Sequence, residues 1–321
     1  MRDQVKWSSI ALSLLFVAAP AYANLTITPT FDVTITSDPN AGAIEGVINS
    51  AIGFYESTFA DPINVAINFR EMTSGLGSSS TFFATGPYNV YLAALKADAK
   101  DATDATATSL LANSSTNPVN GNSFIDVKTA NLRAVGINAN PSPGQPDGFI
   151  GLNTQITDVG SPGTSGQFSL FATVEHEIDE VLGLGSALPS TPALTIFPED
   201  LFRYDASGNR SFTTSSSAKA FFSINGTTDL AQFDNQNDGG DFGDWQSNPL
   251  PGGVGPKVQD AFANPGTHPV LTSSSPEVIA LDAIGYDLVS PVPEPTSVVL
   301  LGSILGLTVA ALRRRNGQTS A

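Results

Sequence analysis

The sequence predicts an α/β fold: a mixed sheet covered by helices, followed by a loop-rich C-terminal portion of the same domain. Two observations point there. Segments with period-two apolar alternation, at 25–35 and 63–69, flank a stretch at 41–60 whose apolar residues recur every three to four positions. Beyond Gly185 that periodicity gives way to Gly, Ser, Asn, Asp and Pro, the residues of turns. Strands that alternate with helices pack as a sheet under helical cover.

The elements follow in order. Leu25, Ile27, Phe31, Val33 and Ile35 alternate with threonines as a first strand. Asp38-Pro39 opens a helix over 41–60, with Ile44, Val47, Ile48, Ala51, Ile52 and Tyr55 on one face. Ile63, Val65, Ile67 and Phe69 form a second strand, and 75–81 reads as a glycine–serine loop. Residues 88–111 read as helical with polar interruptions, 124–127 as a strand, 130–135 as a short helix and 148–152 as a strand. A helix is expected from Ser165 to Gly183, burying Phe168, Phe171, Val174, Ile178, Val181 and Leu182 and presenting Glu175, Asp179 and Glu180 as polar. A closing helix over 276–288 is capped by Gly285.

Composition narrows the function classes. The chain has 30 acidic and 14 basic residues, a formal net charge of −16, which repels phosphate backbones and argues against a nucleic-acid partner. Such acidity suits an extracellular protein that binds calcium or tolerates salt. With no cysteine, disulfides and thiol chemistry are excluded.

The ends carry targeting patterns. Arg2 and Lys6, an apolar run from Ile10 to Ala19 and Ala21-Tyr22-Ala23 make a signal peptide over 1–23. At the other end an apolar segment, 297–312, precedes Arg313-Arg314-Arg315. At about 1.5 Å per residue it spans roughly 24 Å, short for a hydrocarbon core of about 30 Å. Together with Pro293-Glu294-Pro295 it resembles a PEP-CTERM sorting signal. That resemblance implies a Gram-negative host, transient membrane anchoring, a C-terminal sorting peptidase as partner, and release to the cell surface or outside. The expected organisation is 1–23 signal peptide, 24–185 N-terminal part, 186–290 loop-rich C-terminal part and 291–321 sorting signal.

Chemistry concentrates at His176-Glu177-Ile178-Asp179-Glu180. Residues four apart share one helix face, so His176 and Glu180 can reach one metal ion, and Glu177 is offset as a general base would be. The pattern resembles the zinc-protease motif His-Glu-x-x-His with glutamate in the second histidine's place. Only His176 and His268 are present, so a three-histidine site is excluded. Asp200 leads the candidates for a third ligand, ahead of His268 and Asp205; capping a turn or pairing with Arg203 is the other reading of Asp200. The acidic cluster over 234–244 lacks EF-hand spacing and reads as a surface loop.

The strand–helix–strand opening and central motif helix resemble the zincin fold. Leu201-Phe202-Arg203-Tyr204, Phe221-Phe222-Ser223-Ile224-Asn225-Gly226, Gly240-Asp241-Phe242-Gly243-Asp244-Trp245 and Leu281-Asp282-Ala283-Ile284-Gly285-Tyr286-Asp287 are similar to segments of a group of exported bacterial metallopeptidases, some with the same glutamate variant. More distantly, Gly183 and the closing helix resemble metzincins, from which the chain departs: Ser186 stands at the third ligand's place, and no methionine follows the helix for a Met-turn. The resemblance implies a metal-dependent endopeptidase acting on protein substrates, with Zn2+ as cofactor; the acidic composition and a carboxylate ligand make Ca2+ a second expectation. The alternative is an inactive zincin-fold surface protein that binds protein or exopolysaccharide in the extracellular matrix.

Overall fold

The computed structural model describes residues 24–159, 164–189, 195–236, 238–247, 249 and 254–289; the expected signal peptide and sorting signal lie outside them. Strand β1 (Thr26–Phe31) pairs in parallel with β2 (Asn64–Glu71), and β2 with β6 (Gly148–Leu152). Strand β3 (Gly77–Thr81) joins β6 antiparallel, giving the order β1-β2-β6-β3. The α/β class holds.

The sheet is covered on one face. Val65, Ile67 and Phe69 of β2 are fully buried, while Ala66 and Asn68, pointing the other way, are half-buried. Burying each of these large side chains contributes about 1.5–3 kcal/mol. Helix α2 (Ala41–Thr58) packs on β1 through its apolar stripe, and α6 (Leu170–Leu182) packs on β3, β6 and α2. Two glycines allow α6 so close to the sheet. A Cβ at Gly148 would meet Val181 Cγ2 at 2.6 Å, and one at Gly77 would meet Glu177 Oε1 at 2.2 Å.

Four local readings change. Residues 77–81 are a strand rather than a loop; a run of Gly and Ser carries no apolar alternation, yet its backbone pairs with β6. Val33 and Ile35 leave the first strand for a helical turn, α1 (Val33–Thr36), because Asp32 caps it by accepting the Thr34 amide at 2.9 Å. Helix α6 starts later than expected, at the N-cap Ser169, whose hydroxyl accepts the Ala172 amide at 3.1 Å. It is also buried nearly all round. Glu175 and Asp179 lie inside, with the Tyr55 hydroxyl donating to the Glu175 carbonyl and to Asp179 Oδ1, both at 2.8 Å.

The remaining elements brace α6. Strands β4 (Phe83–Pro87) and β5 (Phe124–Lys128) form an antiparallel pair carrying α3 (Tyr88–Asp98) and α5 (Thr129–Ala134), with α4 (Ala102–Ser109) packed on α3. The closing helix α7 (Pro276–Ala283) leads into Ile284-Gly285-Tyr286, where the Tyr286 hydroxyl donates to the Leu182 carbonyl at 2.7 Å. Gly285 has φ of 108° and sits against Val135, so only glycine fits that turn. Short strands β7 (Arg203–Tyr204), β8 (Phe221–Phe222) and β9 (Ala231–Gln232) form a small antiparallel sheet. On it Phe222, Phe233 and Trp245 cluster with ring centroids 5.0–6.5 Å apart. Among the described residues no helix is long and apolar enough to cross a membrane.

Candidate metal centre

Helix periodicity sets one half of the site. His176 and Glu180 face the same cleft, with His176 Nε2 3.7 Å from Glu180 Oε1. The other half comes from the glycine–acidic loop: Asp244 Oδ1 also lies 3.7 Å from His176 Nε2. Ligand atoms of His176, Glu180 and Asp244 all fall within 4.8 Å of one another, a grouping able to hold a metal ion.

Asp244 reaches this position by close backbone packing. A Cβ at Gly243 would stand 2.6 Å from the Gly185 Cα, so the loop touches the chain leaving α6 only because residue 243 is glycine. Arg203, buried, holds the loop from behind by donating to the Phe242 carbonyl and, at 3.1 Å, to Asn235 Oδ1. Trp245 anchors the far side, its Nε1 donating to Glu277 Oε1 at 3.1 Å.

Neighbouring groups orient the three side chains. The Val258 carbonyl lies 3.0 Å from His176 Nδ1, and a carbonyl can only accept; Nδ1 therefore carries a proton, and Nε2 is the ring nitrogen turned toward the cleft carboxylates. Gln259 Nε2 donates to Asp244 Oδ1 at 2.8 Å and faces His176 Nε2 at 3.2 Å. Ser79 of β3 donates to Glu180 Oε2 at 2.5 Å. Lys128, fully enclosed, donates to the Glu180 and Leu184 carbonyls at the end of α6.

Charge is unbalanced there. Burial, and then the charges of Glu180 and Asp241, push the Asp244 carboxyl up to about 8, against the pull of His176 and Gln259. Burial followed by the Glu180 charge holds Glu177 well above the usual carboxylate range. Glu180 goes the other way: burial raises it, but His176, Lys128 and Ser79 outweigh burial and bring it to about 2. Burial alone would lower His176, yet Asp244, Glu180 and Glu177 raise it well above its ordinary value. A dication fits this donor set of one imidazole and two carboxylates, because it supplies the positive charge that they share.

Glu177 sits beside the cluster. It is 5 % exposed, its Oε2 has no hydrogen-bond partner, and it lines a cleft of about 510 Å3 together with His176, Glu180, Asp244 and Gly77. Strand β3 borders the same cleft through Gly77, Ser78 and Ser79.

The other sequence candidates stand elsewhere. Asp200 is buried and fully engaged: its Oδ1 accepts the Ser186 hydroxyl at 2.6 Å, and its Oδ2 accepts the Ala187 and Phe197 amides at 3.0 and 2.9 Å. It caps the 3-10 turn Pro198–Phe202 and is not brought to the cluster, in keeping with its turn-capping reading. Asp205 closes an exposed turn by accepting the Ser207 and Asn209 amides. His268 pairs with Asp158, Nδ1 to Oδ2 at 3.4 Å. Sequence reasoning missed Asp244, placing it in a surface loop, although only 5 % of it is exposed. The signal was Gly243 before it and Trp245 after it, a residue without bulk and a large apolar anchor.

No known protein family, curated protein or solved structure matches this chain.

Proposed function

We propose that the chain is an exported metal-dependent endopeptidase of zincin-like architecture. The observation that carries this reading is the convergence of His176, Glu180 and Asp244 on one point of a cleft that Glu177 also lines. The antiparallel strand β3 supports the zincin comparison. It is the edge of its sheet and borders the cleft, so its outer backbone groups are placed to pair with an extended peptide.

His176, Glu180 and Asp244 would hold the ion, and Zn2+ suits a site containing imidazole. When bound, a dication supplies Lewis-acid activation of water and of a substrate carbonyl. Glu177 takes a proton from water in the cleft and passes it to the departing amine. Its burial and its lack of a second partner leave the carboxylate dependent on nearby positive charge for ionisation. Gln259 keeps Asp244 turned toward His176, and Ser79 keeps Glu180 turned the same way. Two anionic ligands cancel the formal charge of a dication and weaken its pull on water; this favours a second reading, an inactive surface protein on the same fold.

The test is metal analysis together with hydrolysis of an unstructured protein by the wild type and by Glu177→Gln. Bound metal in both, with activity lost in the variant by about 10²–10⁴-fold, supports the peptidase. Bound metal with no turnover in either supports the surface protein. Equal hydrolysis by both rejects Glu177 as the base.

A further inference from the structure

A second carboxylate group lies where α4 packs on α7, and none of its members lines the cleft. One oxygen each from Asp101, Asp104 and Asp282 falls within 4.8 Å of the other two. Local sequence accounts for part of this. Asp101 is the N-cap of α4, its Oδ1 accepting the Thr103 and Asp104 amides at 2.7 and 3.1 Å. Asp104 completes the capping box, its Oδ2 accepting the Lys100 and Asp101 amides at 2.7 and 3.1 Å. The box uses one oxygen of each carboxylate.

Asp282 has no such duty. It lies in the last turn of α7, is 1 % exposed, and neither of its oxygens has a hydrogen-bond partner. A carboxylate taken out of water needs a proton, a donor or a cation. The Thr103 hydroxyl, in the first turn of α4, is a neutral donor beside it and brings no positive charge. Among the described residues no Lys, Arg or His forms an ion pair with any of the three. The contrast is close by. Asp61, Asp98 and Asp287 form a similar group, but the Lys100 ammonium pairs with both Asp98 and Asp287.

We infer that Asp101, Asp104 and Asp282 form a calcium site that ties α4 to α7. All donors are oxygen, as a hard cation requires, and Asp101 is exposed, leaving access for the ion and for the waters that complete six to eight ligands. Ligands on opposite sides of Ca2+, each at about 2.3–2.6 Å, stand roughly 5 Å apart, so oxygens within 4.8 Å fit one coordination sphere. The carbonyl end of α7 adds partial negative charge. The site also bears on the rest of the fold. Just after Asp282 the Ile284 carbonyl accepts Tyr91 Oη at 3.1 Å and Asn131 Nδ2 at 2.8 Å, beneath the end of α6.

The experiment is calorimetric titration of the chelator-stripped full chain with CaCl2, paired with thermal unfolding with and without calcium. One saturable binding event and a higher Tm in calcium are expected. Asp282→Asn should weaken binding by about tenfold or more, through loss of one of three anionic ligands. Asp101→Asn should do the same while keeping a competent N-cap, which covers the case in which Asp282→Asn does not fold. His176→Ala should leave the calcium event in place, separating this site from the centre on α6. Absence of calcium binding, or binding unchanged in both aspartate variants, would overturn the inference.

Discussion

Replacing Gly77 by alanine puts one methyl group into the cleft wall opposite Glu177. The new Cβ would lie 2.2 Å from Glu177 Oε1 and 2.8 Å from Thr173 Cγ2, so something must move. The glutamate carboxylate is the end of a flexible chain and gives way first; Thr173, β-branched on a helix, yields less. Most of the clash is therefore relieved by turning Glu177 away, and the stability cost stays near the lower end of the overpacking range, about 1 kcal/mol. In a chain of this size that is about 2–4 °C in Tm. Function should suffer far more. On the proposed reading a displaced base forfeits about 10²–10⁴-fold in turnover, while His176, Glu180 and Asp244, which the methyl does not touch, would retain a bound ion. The assay is kcat on an unstructured protein, with metal content and Tm measured on the same samples. A double variant makes it sharper. If Gly77 acts through Glu177, adding Gly77→Ala to Glu177→Gln should cost little more. Full activity in Gly77→Ala, or loss of metal from it, would refute this account of the cleft.

Two further outcomes are expected. Asp244→Ala should lose the ion with little change in the fold around it. Asp200→Ala should keep any ion bound at the centre but destabilise the chain by about 1–3 kcal/mol, because three part-buried donors lose a buried acceptor; elemental analysis with urea unfolding separates the two. The stability of the chelated protein should fall as pH rises from about 5 to about 8. Burial holds Asp61, Glu175 and Asp282 up to about 8 and Asp260 up to about 7, so the folded state binds more protons than the unfolded chain across that window. That contribution is fully present below the ordinary carboxyl pKa and is gone above the raised ones. Urea midpoints that rise across the window would contradict it.

The half of the centre carried by α6 was legible because helix geometry turns a spacing of four into shared direction, and His176 and Glu180 needed nothing else. Asp244 was not legible in that way. Its approach depends on Gly243 meeting the backbone at Gly185, and nothing local to either predicts the meeting. Strand β3 escaped for a related reason: an edge strand of Gly and Ser is defined by backbone pairing, which leaves no trace in side-chain alternation. Glu175 and Asp179 looked like a solvated face because carboxylates usually are; the Tyr55 hydroxyl that donates to the Asp179 carboxylate and to the Glu175 backbone carbonyl comes from a helix far back in the chain.

The contact between Gly185 and Gly243 also has a consequence for the order in which the molecule is made. During synthesis α6 leaves the ribosome well before Asp244 does, and His176 with Glu180 alone offers an ion only two anchors. The third, Asp244, follows β7, β8 and β9 in the chain, on a loop that Arg203 holds. An ion held by all three would thus be captured late, and a chain truncated before Asp244 lacks the third anchor.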